Sequence, residues 1–159
     1  MNEKLDKKLV EKYPKIFADR HADMKTTAMC WGFEHGDGWY WLIDKMCESI
    51  QGYMDSNPHL NIHQVVAVQV KEKFAGLRFY YQGGDDRIEG IVQFAEHLSY
   101  YICEYCGSTE DIGCTQGWFS TCCEKCYNAS EHLSKREWKR LVPKKGQLRD
   151  SNGRFTKKQ

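Results

Sequence analysis

Two short segments, Cys103-Glu-Tyr-Cys106 and Cys123-Glu-Lys-Cys126, decide the architecture of the C-terminal part of this 159-residue chain. Sixteen residues separate the two Cys-x-x-Cys pairs, a distance within the range that four-cysteine zinc sites use. Each pair directs two sulfurs at one metal ion, and two pairs facing each other complete a tetrahedron. We therefore predict a structural zinc site inside a zinc ribbon over residues 103–127. Its four ligands are Cys103, Cys106, Cys123 and Cys126.

Two nearby cysteines leave the ligand set open. Cys122 replaces Cys123 if the second pair uses a three-residue spacing, and Cys114 is a further alternative ligand. Cys123 is preferred because it gives both pairs the same spacing. A redox dithiol and a disulfide are weaker interpretations, because two pairs stand at metal spacing and residues 1–10 contain no apolar export signal. Thiols are expected to stay reduced in the compartment that this implies.

The residues before the cysteines predict an α+β body over residues 1–102. Apolar side chains recur every three or four residues over 39–54 and over 88–102, which is typical of amphipathic helices. Between them, the β-branched segment 65–71 and the aromatic segment 77–81 predict an antiparallel hairpin. The expected fold class is α+β: a β-hairpin or small sheet packed with amphipathic helices, plus a four-cysteine zinc ribbon and a basic C-terminal tail.

Charge divides the chain into two unequal parts. Residues 135–159 carry ten basic and two acidic side chains, a net charge of +8, whereas residues 1–134 carry 13 basic and 20 acidic ones, a net charge of −7. Ser134 and Glu137 match a capping box that opens a short helix to about Val142, so residues 128–142 are assigned to a short-helix segment. The remaining residues, 143–159, have few apolar side chains and are predicted to be a disordered basic tail.

The candidate partner-binding residues combine this basic part with two aromatic side chains. Trp118 and Phe119 precede the second cysteine pair, where so small a ribbon has little interior. They either pack the ribbon onto the helix over 85–102 or contact a partner. Rings stack on bases and cations contact phosphates, so the combination favours a nucleic acid or nucleoprotein partner. The predicted contact residues are Trp118, Phe119, Lys139, Arg140, Lys144, Lys145, Arg149, Arg154, Lys157 and Lys158.

Catalytic chemistry has weaker support in the sequence. His35, Asp37 and Glu72 are candidates for a metal-dependent site. Asp37, however, is also the expected N-cap of the helix over 39–54, and Glu72 is also explained as an outward charge on a strand. No phosphate-binding loop, nucleophile elbow or dinucleotide-binding fingerprint is present. No apolar run predicts a membrane span, and no small-molecule cofactor is expected.

Three sequence blocks resemble a family of small uncharacterised proteins that is widespread in bacteriophage and prophage genomes. The blocks are Gly32-Phe-Glu-His-Gly-Asp-Gly-Trp39, Val70-Lys-Glu-Lys-Phe-Ala-Gly-Leu-Arg-Phe-Tyr80, and Cys103-Glu-Tyr-Cys-Gly107 with Trp118 and Thr121-Cys-Cys-Glu-Lys-Cys126. The resemblance covers about residues 14–126; in the family pattern a cysteine stands at the position of His35 and a glycine at that of Ala75. It implies a zinc ribbon and a phage setting, hence the cytoplasm of a bacterial host, and it implies no activity.

The sequence thus predicts a non-enzymatic, zinc-binding accessory protein of the phage type that binds nucleic acid or a host nucleoprotein or defence complex. Two alternatives stay open at this point. One is a metal-dependent enzyme that processes nucleic acid. The other is an inhibitor that contacts a host protein through the acidic body.

Overall fold

The computed structural model describes residues 1–141, which form an α+β structure with two small sheets, so the predicted fold class is confirmed at that level. The helices are Glu3–Lys12 (α1), Tyr40–Ser56 (α2), Asp86–Ser99 (α3), Glu124–Ala129 (α4) and Glu131–Ser134 (α5). The strands are Phe33–Glu34 (β1), Val66–Lys73 (β2), Gly76–Gln82 (β3), Ile112–Thr115 (β4), Thr121–Cys123 (β5) and Trp138–Arg140 (β6). None of the helices in this part of the chain is long and apolar enough to cross a membrane. The basic tail expected over residues 143–159 lies outside the described residues.

The first sheet has the order β1-β2-β3 and contains the hairpin that the sequence predicts. β2 and β3 pair antiparallel through a two-residue turn, Phe74 and Ala75, and both residues have positive φ, at 53° and 64°. Such backbone suits the right-handed twist of a hairpin, although asparagine and glycine adopt it at less cost. On the outer edge of β3, the backbone N–H groups of Leu77 and Phe79 donate to Ser99 and Glu96 of α3, so this helix covers the edge.

The core of the body lies against the inner face of this sheet. Its members include the fully buried Trp39, just before α2, together with Ile43 of α2 and Ile88 of α3. Phe17 contacts Phe33 and Phe79 edge-on, with ring centroids 5.0 and 6.4 Å apart. The helical periodicity seen in the sequence therefore marks the faces that α2 and α3 bury.

The second sheet has the order β5-β4-β6 and corrects the expected C-terminal helix. In the segment 128–142, the helix predicted to begin at Ser134 is wrong, because Ser134 ends α5 and Trp138–Arg140 form a strand antiparallel to β4. The Trp138 indole N–H donates to the carbonyl of Cys122 at 3.2 Å, and its ring stacks on Tyr127 at 5.7 Å. Gly113 permits this packing, since a Cβ there would lie 2.2 Å from the indole. A local capping signal thus yields to long-range packing.

The expected N-cap role of Asp37 is also wrong. Asp37 begins a 3-10 turn, Asp37–Trp39, and α2 then starts at Tyr40 without a side-chain cap. The Asp37 carboxylate instead accepts hydrogen bonds from the backbone N–H and the side-chain amide of Asn2, both at 2.7 Å. The residue ties the start of α1 to the loop before α2.

Candidate metal centre

Four cysteine side chains meet where the chain leaves α3 and enters the second sheet. The Sγ atoms of Cys103, Cys106, Cys123 and Cys126 all lie within 4.8 Å of one another, and those of Cys106 and Cys123 are 3.7 Å apart. Sulfurs placed tetrahedrally about 2.3 Å from one ion lie about 3.8 Å apart. The group therefore has the dimensions to hold a metal ion, and its members are the four cysteines that the spacing indicates.

Each pair owes its geometry to a different local structure. The first lies in a turn that Gly107, with φ of 77°, closes by donating its N–H to the carbonyl of Cys103 at 2.9 Å. In the second, Cys123 ends β5 and is the N-cap of α4, where its sulfur accepts the N–H of Cys126 at 3.4 Å. A helix N-terminus favours negative charge, which suits a thiolate ligand.

The two alternative ligands lie outside the group. Cys122 is fully buried, and burial raises the pKa of its thiol to about 12. Cys114 is buried on β4, where its thiol donates to the carbonyl of Thr115 at 3.3 Å and burial raises its pKa. Successive residues of a strand point to opposite faces, so Cys122 and Cys123 cannot both face the same ion.

The thiols of Cys103, Cys106 and Cys126 differ in acidity. Burial raises the pKa of both Cys103 and Cys126. Burial acts in the same direction on Cys106, but the backbone N–H of Ser108 and the neighbouring thiols outweigh it and lower the pKa of this residue. A divalent cation favours the thiolate form of every ligand and releases their protons on binding.

The loop over residues 36–39 packs directly against the first cysteine pair. The N–H of Gly38 donates to the carbonyl of Glu104 at 2.7 Å, and the Trp39 indole donates to the carbonyl of Ile102 at 2.9 Å. The approach is so close that a Cβ at Gly38 would lie 2.1 Å from the carbonyl oxygen of Cys103. Glycine at position 38 is therefore required by the close contact between this loop and the first cysteine pair.

Glu104 lies between the two cysteines of the first pair, and the sequence did not identify it as part of the site. Its carboxylate accepts the N–H of Gly36 at 3.0 Å, and its side chain is buried. Burial raises the pKa of Glu104 to about 7, and the nearby carboxylate of Glu72 acts in the same direction. A glutamate between two ligands normally faces solvent, so only the fold reveals its position.

The hairpin turn contacts the second sheet at the same place. The Thr121 hydroxyl donates to the carbonyl of Ala75 at 2.7 Å, and the carboxylate of Glu72 accepts the N–H of Ala75 at 2.7 Å. The three blocks that suggested a family resemblance thus meet around one cysteine pair.

The catalytic candidates are not brought together around an open site. His35 is buried, with Nδ1 2.7 Å from the carbonyl of Gly36, and burial lowers its pKa to about 4. Asp37 and Glu72 are engaged by Asn2 and Ala75 as described above. Within residues 1–141, the four cysteines are the one group of three or more His, Cys, Asp or Glu side chains placed to hold a metal ion.

The structure describes four of the predicted partner-binding residues, and they differ in exposure and in their contacts. Trp118 and Phe119 are 70% and 41% exposed, and they line a groove together with the hairpin turn. Lys139 is exposed, whereas Arg140 forms ion pairs with Asp111 and Glu124. The residues outside the described part of the chain are Lys144, Lys145, Arg149, Arg154, Lys157 and Lys158.

Comparisons with protein-family models, with curated proteins and with solved structures found no match. The resemblance to phage proteins stays a prediction.

Proposed function

We propose that this protein is a non-enzymatic, zinc-binding accessory protein of the phage type, which binds a macromolecular partner in the cytoplasm of a bacterial host. The partner class is nucleic acid or a host nucleoprotein or defence complex. The observation that carries the proposal is the group of four cysteine sulfurs within 4.8 Å of one another.

Four thiolates favour zinc in a structural role. Tetrahedral sulfur ligation selects zinc or iron among the common metals, and a complete set of four protein ligands leaves no position for water or substrate. The second sheet and the short helices around the four cysteines also bury few other apolar side chains. Its buried apolar cluster consists of Ile112, Cys122 and Leu133 together with two of the ligands themselves, Cys103 and Cys123.

The body and the ribbon act as one unit in this proposal. Gly36, Gly38 and Trp39 hold the first cysteine pair, and Thr121 bonds to the hairpin turn. Metal binding therefore also fixes the loop that carries Trp118 and Phe119. We favour binding over catalysis because these two rings are exposed, while His35, Asp37 and Glu72 are separately engaged.

Metal analysis of two adjacent cysteine variants tests the proposal. We expect about one zinc per chain in the wild-type protein and in Cys122→Ser, and a loss of bound zinc in Cys123→Ser. Cys122 is the matched control because it is the next residue on the same strand and is equally buried. The same elemental analysis detects iron, and a visible absorption spectrum would show iron bound to thiolates. A wild-type protein without zinc, or full occupancy in Cys123→Ser, would contradict the assignment.

A further inference from the structure

The face of the hairpin that points away from the core carries cations and aromatic rings in alternation. Lys71 and Lys73 lie two residues apart on β2, so they share a face, and Arg78 and Tyr80 do the same on β3. Lys71 and Arg78 are direct partners in the antiparallel register. The inner face of the same strands is buried in the core.

Each cation on this face lies beside a ring. The distances from cation to ring centroid are 5.7 Å for Lys71 and Tyr80, 5.6 Å for Lys73 and Phe74, and 5.9 Å for Arg78 and Tyr100. Contacts within about 6 Å are attractive, so they hold the rings and the charges in place. Two of the rings stay accessible, since Phe74 is 68% and Tyr80 42% exposed.

The face continues from the hairpin turn onto the ribbon loop. Phe74, Trp118 and Phe119 line one groove, together with Lys73 and Glu72. Arg136 lies beside this groove, where its guanidinium donates to the carbonyl of Trp118 at 3.3 Å. We call this surface the aromatic-basic face and define it by Lys71, Lys73, Phe74, Arg78, Tyr80 and Trp118.

The charge of the aromatic-basic face opposes that of the surrounding molecule. Residues 1–134 carry a net charge of −7, yet this face presents three cations, and none of the three forms a salt bridge within the described part of the chain. Glu72 is on the same hairpin, but its carboxylate is bound by the N–H of Ala75 at the turn. Glu34 of the edge strand β1 is the register partner of Lys71, and its carboxylate accepts a hydrogen bond from Gln69 at 2.9 Å, so three cations face one carboxylate held at the edge of the sheet. A polyanion is the partner that this distribution favours.

We propose that the aromatic-basic face binds single-stranded nucleic acid, with bases stacked on Phe74, Tyr80 and Trp118 and phosphates beside the lysines and Arg78. The inference rests on the proposed function, because the ribbon loop must be folded, and it specifies the partner class. Unpaired bases expose the flat surfaces that stack on side-chain rings, whereas a duplex hides them. Stacking tolerates any base, so little sequence preference is expected.

Fluorescence anisotropy with short labelled oligonucleotides tests this inference on the full-length, zinc-loaded protein. We expect oligothymidine and oligouridine to bind, and a duplex of equal length to bind more weakly. Phe74→Ala and Tyr80→Ala should each weaken binding at least about fivefold, the lower end of what one stacked base contributes. Phe94→Ala is the matched control because Phe94 is 64% exposed on α3 and should leave binding unchanged.

Three results would overturn the inference. The first is no binding of single strands by zinc-loaded protein at low salt. The second is equal binding by Phe74→Ala, Tyr80→Ala and Phe94→Ala, which would assign binding to the tail. The third is a protein that binds no oligonucleotide but captures a host protein, in a complex that requires Trp118 and survives nuclease treatment. That result would be compatible with the proposed function and would contradict only the nucleic-acid inference. Absence of zinc would instead remove the proposed function as well.

Discussion

His35 is a buried polar residue with an incomplete set of partners. Its Nδ1 lies 2.7 Å from the carbonyl of Gly36, while its Nε2 is buried without a hydrogen-bond partner among residues 1–141. The ring lies between aromatic neighbours, 6.1 Å from Phe33 and 5.6 Å from Trp39. Charging the ring in this setting is costly, so burial lowers the pKa from 6.5 to about 4 and the folded protein holds a neutral histidine.

This shift predicts that His35 makes the fold acid-sensitive. Between pH 6.5 and pH 4 the unfolded chain binds a proton at His35 and the folded chain does not, so its contribution to the free energy of unfolding falls as the pH falls. The loss is on the order of 2 kcal/mol between pH 7 and pH 5. We expect chemical denaturation of wild type and His35→Gln to show it as a stability difference that changes with pH.

The difference between the two proteins is the informative quantity. Glu104 has a raised pKa of about 7 and titrates with the opposite sign, and acid also weakens metal ligation, but both effects occur in wild type and variant alike. A stability difference that stays constant from pH 7 to pH 5 would show that His35 does not titrate as its burial requires.

Residue-level prediction from sequence succeeded where the chemistry is local. The spacing of the four cysteines indicated which sulfurs meet, because a Cys-x-x-Cys turn needs few distant contacts. The N-cap role of Asp37 was wrong because its partner, Asn2, is 35 residues away, and the ion pair of Arg140 was not foreseen because Glu124 is 16 residues away. Nothing in a local pattern distinguishes a solvated charge from one that binds a distant carboxylate or amide.

At the scale of elements, the loop over residues 36–39 depends on close contact with the first cysteine pair. Gly38→Ala would place a methyl group 2.1 Å from the carbonyl oxygen of Cys103. Backbone cannot give way there, so we expect a loss of at least about 2 kcal/mol in the free energy of unfolding. Thermal or urea unfolding of the zinc-loaded protein measures it.

Gly52→Ala provides the matched control for this substitution. Gly52 lies within α2, and a Cβ there would meet nothing within 4 Å. Alanine favours helix over glycine, so this variant should gain about 0.5–1 kcal/mol. If Gly38→Ala is as stable as Gly52→Ala, the loop does not contact the cysteine pair as described.

The elements that could be predicted are those with a clear period. Helical spacing gave α2 and α3, and β-branched and aromatic residues gave β2 and β3. β6 was missed because its three residues, Trp138–Arg140, carry no strand pattern of their own. Their conformation depends on pairing with β4 and on the fit of Trp138 over Gly113.

At the scale of the whole molecule, three separated blocks of sequence meet around the group of four cysteines. The loop over 36–39, the turn at 74–75 and the first cysteine pair are linked by hydrogen bonds between backbone and side chains. The sequence predicted each block separately. It did not predict their convergence, because contacts between distant segments leave no periodic signal.

The division of charge leads to the last prediction, which concerns the basic tail. Deletion of residues 143–159 removes six lysine and arginine side chains. If they contact phosphates of a single strand, the slope of log affinity against log salt should become less steep, by at most about 4, since each contact contributes about 0.7. Phe74→Ala should weaken binding by the same factor in the truncated protein as in the full chain, because stacking on the hairpin does not require the tail.

The alternative is a tail that binds the acidic body instead. Such a tail competes with nucleic acid, so its deletion would strengthen binding at low salt. Titrations at several salt concentrations separate the two: a less steep slope supports phosphate contact, and tighter binding after truncation contradicts it.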